Sequence, residues 1–121
     1  MKKVILVADD SPTIRKFVSF ALAMKGYEIL SASDGMQALE MLPAEKIDLI
    51  ITDLNMPNID GFELIRTVRS NEEFKEIPII ILSSLTSKDD IDQGIEIGAN
   101  SYLIKPFDSK RMLYEVSKYL N

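Results

Sequence analysis

The sequence predicts an α/β protein with a doubly wound, five-stranded parallel sheet. Short apolar runs without polar alternation are typical of parallel strands that are covered on both faces. Stretches of helical period separate these runs, which gives the order βαβαβαβαβα. Because crossovers between parallel strands are right-handed, this alternation places helices on both faces of one sheet.

Five apolar runs are the predicted strands. Residues 4–7, 49–51 and 79–82 are continuous runs of valine, isoleucine and leucine. Residues 28–31 and 101–104 are weaker, and we expect the first of these to lie at an edge of the sheet.

The helices are predicted from residues that start and stop them. Ser11 caps the first helix, Pro12 takes its first position and Gly26 ends it. Its predicted buried stripe is Ile14, Phe17, Val18, Ala21 and Leu22. The second helix, residues 36–42, ends at Pro43. Asp60 caps a third helix through about Ser70, Ser87 a fourth that ends at Gly98, and Asp108 a fifth that runs to the C-terminus.

Length and composition exclude several classes of protein. A chain of 121 residues, 46% hydrophobic and 27% charged, suits a single domain. The net charge of −5 argues against nucleic-acid and anionic-membrane binding. The absence of cysteine and histidine excludes disulfides, thiolate metal sites and histidine catalysis. The first apolar run is too short for a signal peptide or a membrane span, which predicts a cytoplasmic protein.

Charged and hydroxyl residues follow four of the five predicted strands. Asp9 and Asp10 follow the first strand, Asp53 the third, Ser83 the fourth and Lys105 the fifth. The carboxyl ends of parallel strands share one edge, where open α/β proteins bind ligands. Carboxylates that meet there need a cation among them, so the pattern predicts a Mg²⁺ site with Lys105 as a second cation.

The chain resembles the response-regulator receiver domains of two-component signalling, of the single-domain chemotaxis-regulator type. The resemblance covers essentially the whole chain and rests on four motifs. They are the acidic pair in residues 7–11 (VADDS), the run 53–61 (DLNMPNIDG), the hydroxyl in 81–84 (ILSS) and residues 102–107 (YLIKPF). The resemblance implies a flavodoxin-like fold with strand order 2-1-3-4-5 and a cis peptide bond before Pro106.

The resemblance also implies a role for each site residue. Asp53 would accept a phosphoryl group from a phosphohistidine, assisted by Ser83 and Lys105. Asp10, Asp53 and the backbone carbonyl of Asn55 would bind Mg²⁺, with Mn²⁺ as the alternative ion. Asp9 would hold the ion through water. Such a domain catalyses its own phosphorylation and dephosphorylation without being an enzyme in the ordinary sense.

The implied partners are proteins. The donor would be a sensor histidine kinase or a histidine phosphotransfer protein, and the receiver of the signal a downstream target protein. Phosphorylation would move Ser83, turn Tyr102 from exposed to buried, and change the surface of the fourth helix, fifth strand and fifth helix. We expect residues 1–121 to be a single receiver domain without an output domain, monomeric, with a dimer as the alternative when phosphorylated.

Two other functions fit part of the pattern. Haloacid-type phosphatases also use an aspartyl nucleophile with Ser, Lys and Mg²⁺, but they need an acid two residues after the nucleophile, where this chain has Asn55. A receiver-like interaction module that takes no phosphate is the second alternative. The apolar Leu85 cannot orient a hydrolytic water, so the sequence leaves open how long a phosphorylated state lasts.

The first helix has a wider apolar surface than one sheet requires. Phe17, Phe20 and Met24 form this surface with Thr13. One interpretation is a docking face for the helical pair of a kinase. The other is that Phe20 and Met24 pack against the last helix.

Overall fold

The computed structural model describes residues 2–120, in which strands and helices alternate as predicted. The strands are β1 (Val4–Ala8), β2 (Glu28–Ala32), β3 (Leu49–Thr52), β4 (Ile79–Ser83) and β5 (Ser101–Ile104). The helices are α1 (Pro12–Ala23), α2 (Gly35–Met41), α3 (Gly61–Ser70), α4 (Lys88–Glu96) and α5 (Ser109–Tyr119). The last residue of the chain, which was expected to continue the fifth helix, lies outside the described residues.

All five strands form one parallel sheet in the order β2-β1-β3-β4-β5. This order confirms the predicted doubly wound, flavodoxin-like fold, with β2 at an edge. Ala8 pairs with Thr52, and Ser83 pairs with Ile104. The residues that follow these pairs therefore emerge side by side at the carboxyl edge of the sheet.

The inner strands contribute to a core on each face of the sheet. Alternate side chains of a strand point to opposite faces. Ile5 and Val7 join the core beneath α1 and α5, whereas Leu6 and Ala8 join the core beneath α2 and α3. Each fully buried aliphatic side chain contributes about 1.5–3 kcal/mol, which explains why these runs tolerate no polar alternation.

Each helix is preceded by a residue whose side chain accepts a hydrogen bond from a backbone N–H of the first turn. These N-caps are Ser11, Asp34, Asp60, Ser87 and Asp108. The sequence predicted four of them but placed the start of α2 at Met36. The helix in fact begins at Gly35, because the Asp34 carboxylate accepts the Gln37 N–H at 2.8 Å.

The exposed face of α1 differs from the prediction. Val18 and Leu22 are buried, but Phe17 is 43% exposed, so its assignment to the buried stripe is wrong. The centre of its ring lies 5.9 Å from that of Phe107, in a tilted arrangement. Phe20 and Met24 are 69% and 72% exposed, so the interpretation that they pack against the last helix is also wrong.

Candidate functional site

Backbone hydrogen bonds fix the residues at the carboxyl edge of the sheet. The Asp9 N–H donates to Ala32, the Asp53 N–H to Ala8, and the Lys105 N–H to Ser83, over 2.8–3.1 Å. Each bond extends the pairing of neighbouring strands by one residue beyond a strand end. The side chains of Asp9, Asp53 and Lys105 therefore start from rigid backbone.

Three carboxylates meet at this edge, as the sequence predicted. Asp9, Asp10 and Asp53 each offer an oxygen, and the three oxygens lie within 4.8 Å of one another. Asp9 and Asp53 are buried, and Asp10 is exposed. A cluster of carboxylate oxygens with one open side fits a hard divalent cation that keeps part of its water shell, such as Mg²⁺.

Lys105 is the cation that this edge supplies. Its Nζ lies 2.8 Å from Asp9 Oδ2 and 3.3 Å from Asp53 Oδ2. Burial works to lower the pKa of Lys105, but the bond to Asp9 and the charges of Asp53 and Asp9 outweigh it and leave the pKa raised. The ammonium therefore stays charged between the two carboxylates.

The single positive charge of Lys105 does not neutralise the three carboxylates at this edge. Burial raises the pKa of the Asp53 carboxyl, and the charge of Asp9 adds to this rise, against the lowering influence of Lys105 and the N–H of Leu54. Without a bound cation, the protein therefore makes ionisation of Asp53 less favourable than it is in water. A divalent cation beside it would remove this penalty, because an opposite charge favours the ionised form.

Asp9 is held in place by contacts on both its carboxylate and its backbone. Its Oδ1 accepts the N–H of Ser11 at 2.9 Å. Its carbonyl oxygen accepts a hydrogen bond from Nη1 of Arg15 at 2.6 Å. The sequence prediction missed Arg15, since no local pattern links an arginine on α1 to a carbonyl six residues earlier.

Ser83 and Tyr102 are linked through Leu85. Ser83 is fully buried, and its hydroxyl accepts the N–H of Leu85 at 3.1 Å. The Tyr102 hydroxyl donates to the carbonyl of Leu85 at 2.8 Å. The Tyr102 ring is half-buried, which corrects the prediction that it starts from an exposed position. It packs against Gly94 of α4, where an added Cβ would lie 3.3 Å from the ring.

Residues 54–60 form the segment that leads from Asp53 to α3, and the two ends of this segment lie close together. The Gly61 N–H donates to the carbonyl of Leu54 at 2.9 Å, and a Cβ at Gly61 would overlap the carbonyl oxygen of Asp53. Asn55, whose carbonyl is the predicted metal ligand, is exposed in this segment. On the other side of the site, the Lys105–Pro106 bond is cis, as predicted.

The fold and the strand-end carboxylates with their lysine define a receiver domain. Residues 5–117 match the response regulator receiver domain family, and the chain belongs to that family. A curated relative, the chemotaxis protein CheY1 of Helicobacter pylori, is 41% identical over 105 residues, which are 85% of either chain. Other curated relatives are longer regulators of transcription, of which the chain spans about half, 45% to 48%.

Solved structures agree with this assignment. The chemotaxis protein CheY4 of Vibrio cholerae superposes with a TM-score of 0.92 at 36% identity, over 98% of this chain and 99% of that one. The receiver domain of the sensor histidine kinase PA1611 of Pseudomonas aeruginosa PAO1 has a TM-score of 0.91 at 27% identity, over 99% and 98%. That domain was solved with a magnesium ion coordinated in its active-site cleft.

Among residues 2–120, no helix combines the length and the apolar composition that crossing a bilayer requires. The cytoplasmic location predicted from the sequence stays a prediction.

Proposed function

We propose that this chain is a phosphorylation-dependent switch in which Asp53 accepts a phosphoryl group from the phosphohistidine of a sensor histidine kinase or a histidine phosphotransfer protein. The observation that carries the proposal is the position of Asp53 between two other carboxylates and the ammonium of Lys105. In the reaction a carboxylate oxygen of Asp53 attacks phosphorus. The P–N bond breaks, and its electron pair returns to the imidazole of the donor.

The surrounding residues suit this transfer. Asp10, Asp53 and the carbonyl of Asn55 would hold Mg²⁺, with Asp9 holding it through water. Bound there, the ion supplies positive charge to the phosphoryl oxygens. Lys105 would donate to one of these oxygens, and the Ser83 hydroxyl to another. Little further chemistry is needed, because phosphoryl transfer depends mainly on position and charge.

We further propose that the domain is not a conventional enzyme. It would catalyse its own phosphorylation and dephosphorylation, and Leu85 and Asn55 offer no acid or base to accelerate hydrolysis. Acetyl phosphate with Mg²⁺ tests this: we expect at most one phosphoryl group per molecule, formed slowly. Steady turnover of phosphomonoesters would instead favour the haloacid-type phosphatase. Mg²⁺ binding that does not respond to beryllofluoride would favour an interaction module that takes no phosphate.

The signal would leave the site through the link from Ser83 to Tyr102. A hydroxyl can donate to one group while it accepts from another, so Ser83 can bond a phosphoryl oxygen and still accept the N–H of Leu85. Movement of Leu85 then changes the partner of the Tyr102 hydroxyl. Because the ring packs against Gly94, this would shift α4 relative to β5.

Ser83→Ala should therefore be phosphorylated but shift only partly to the active state. A change from 1:99 to 99:1 needs about 5.5 kcal/mol. One charge-assisted hydrogen bond supplies about 1.5–3 kcal/mol, so Ser83 and Lys105 must act together. The measurement is the beryllofluoride response of amide chemical shifts around Tyr102 and α4. An identical response in Ser83→Ala and the parent would show that the hydroxyl does not couple the two.

The exposed face of α1 is our candidate for docking the kinase. Phe20 and Met24 lie there uncovered, and the carboxyl edge of the sheet lies at the start of the same helix. An apolar surface of this kind suits the helical pair of a kinase.

Phe20→Ser should slow phosphoryl transfer from the cognate kinase about tenfold or more, the effect expected for an interface hot spot, and leave transfer from acetyl phosphate unchanged. Tyr114→Ser is the matched control, since Tyr114 is also an exposed aromatic residue, on α5. If Phe20→Ser slows transfer from both donors equally, or if Tyr114→Ser slows transfer from the kinase as much as Phe20→Ser does, α1 is not the docking interface.

The target is proposed to bind α4, β5 and α5. Lys88 pairs with Asp92 at 2.7 Å, and Lys118 lies 4.9 Å from the centre of the Tyr114 ring. These residues give the surface mixed charge and one aromatic ring, which suits a protein partner rather than nucleic acid or membrane. We propose a monomer that binds this partner, with a dimer of phosphorylated chains as the alternative.

A further inference from the structure

The segment 54–60 is tied to the start of α2 by a contact that the proposed chemistry does not use. Nδ2 of Asn58 donates to Oδ2 of Asp34 at 2.6 Å. Beside it, the Gly35 N–H donates to the carbonyl of Ile59 at 3.0 Å. The two segments approach so closely that a Cβ at Gly35 would overlap the Ile59 carbonyl.

Asp34 is well suited to hold this contact. It is 9% exposed, and its other carboxylate oxygen accepts the N–H of Gln37. The N–H of Gln37 lowers the pKa of Asp34, and Asn58 lowers it further, so the carboxylate stays ionised and both of its oxygens are used. A charged acceptor makes a stronger and more directional bond to Asn58 than a neutral one.

Asn58 adopts a backbone conformation that is uncommon for residues other than glycine. Its φ is +67°, the only positive value at a non-glycine position among residues 2–120. Such a conformation costs free energy and persists where the surroundings determine it. Met56 also anchors the segment by burial, but apolar packing is not directional and does not orient a carbonyl.

We propose that Asp34 and Asn58 are positioning residues, which hold the segment 54–60 so that the carbonyl of Asn55 faces the carboxylates of the metal site. The proposal rests on the proposed function, because it assumes that the site binds Mg²⁺. Outer partners that orient metal ligands typically change metal affinity by about 10–100-fold when they are removed.

Asn58→Gly separates this role from a structural one. Glycine adopts positive φ without strain, which offsets part of the stability lost with the hydrogen bond, so the variant should stay fully folded with at most a modest drop in unfolding temperature. It loses the Nδ2 donor, and we expect Mg²⁺ to bind about tenfold more weakly. Asp34→Ser keeps an N-cap but is too short to reach Asn58, and it should lose Mg²⁺ affinity similarly. Since the chain has no tryptophan, titration calorimetry is the measurement.

A swapped pair provides the rescue. In Asp34→Asn with Asn58→Asp, the amide at 34 keeps its oxygen for the Gln37 N–H and donates to the carboxylate at 58. Net charge is unchanged, and Mg²⁺ affinity should return to within about twofold of the parent, because the bond is restored in reverse. Asn71→Gly is the matched control at the opposite end of α3, where the side chain accepts a bond from Glu73; it should leave Mg²⁺ affinity unchanged.

The outcomes distinguish this proposal from the proposed function. A parent protein that binds no Mg²⁺ would overturn both. If Asn58→Gly binds Mg²⁺ as tightly as the parent, the positioning role alone is overturned. The same holds if the swapped pair binds Mg²⁺ as weakly as Asp34→Ser. Weak binding by the two single variants, both of them fully folded at the temperature of the titration, with recovery in the swapped pair, would support it.

Discussion

Asp53→Asn should reduce phosphorylation by acetyl phosphate or a kinase to background and should at the same time stabilise the protein in the absence of Mg²⁺. The amide is not a nucleophile, so phosphoryl transfer has no acceptor. Stability rises because burial and the charge of Asp9 disfavour an ionised carboxyl at this position. The neutral amide keeps the shape of the side chain and avoids that penalty.

Radiolabel incorporation and denaturant unfolding measure the two effects. Asp60→Asn is the matched control, because Asp60 is exposed and asparagine caps α3 as well as aspartate does. The control should be phosphorylated normally and keep the stability of the parent. Stoichiometric labelling of Asp53→Asn would place the acceptor elsewhere, and a loss of stability would contradict the electrostatic account of the site.

Lys105→Met should impair both the folded state and the transfer. The variant leaves Asp9, which is 2% exposed, without the ammonium 2.8 Å away. Breaking a buried ion pair costs about 3–5 kcal/mol, and we expect about 3 kcal/mol because Lys105 itself is partly exposed. Phosphorylation should slow by about tenfold or more, since one charge-assisted bond to the phosphoryl group is lost.

Unfolding with and without Mg²⁺ separates the electrostatic cause from packing. Mg²⁺ binds the folded protein and should restore part of the stability lost in Lys105→Met, because it supplies positive charge to the same carboxylates. Lys110→Met, at an exposed lysine on α5, is the control and should change neither property. If Mg²⁺ leaves the stability difference between Lys105→Met and the parent unchanged, Lys105 does not act through its charge.

The fold was predictable because local signals agree with one another. Continuous apolar runs marked the inner strands, and their boundaries fell within one residue of those observed. The start of α2 was misplaced although Asp34 and Gln37 form the pattern of a capping residue with a glutamine three residues later. Phe17 was misassigned because helical period predicts which side chains face inward and not how far a neighbouring helix covers them.

The candidate site was predictable for a topological reason. Asp9, Asp53 and Lys105 each follow a strand, and parallel pairing brings strand ends to one edge. The contacts of Arg15 and Asn58 could not be predicted in the same way. Arg15 bonds a backbone carbonyl, and Asn58 reaches a carboxylate 24 residues away, so neither leaves a pattern in the local sequence.

Whether Asp53 carries the phosphoryl group is tested most directly by locating that group chemically. Borohydride reduces an aspartyl phosphate to homoserine, which peptide mapping by mass spectrometry identifies by position. After phosphorylation by acetyl phosphate with Mg²⁺, we expect homoserine at position 53 and unmodified residues at 9 and 10. Homoserine at either of the other acidic positions, or a stable phosphate on a hydroxyl such as that of Ser83, would contradict the account.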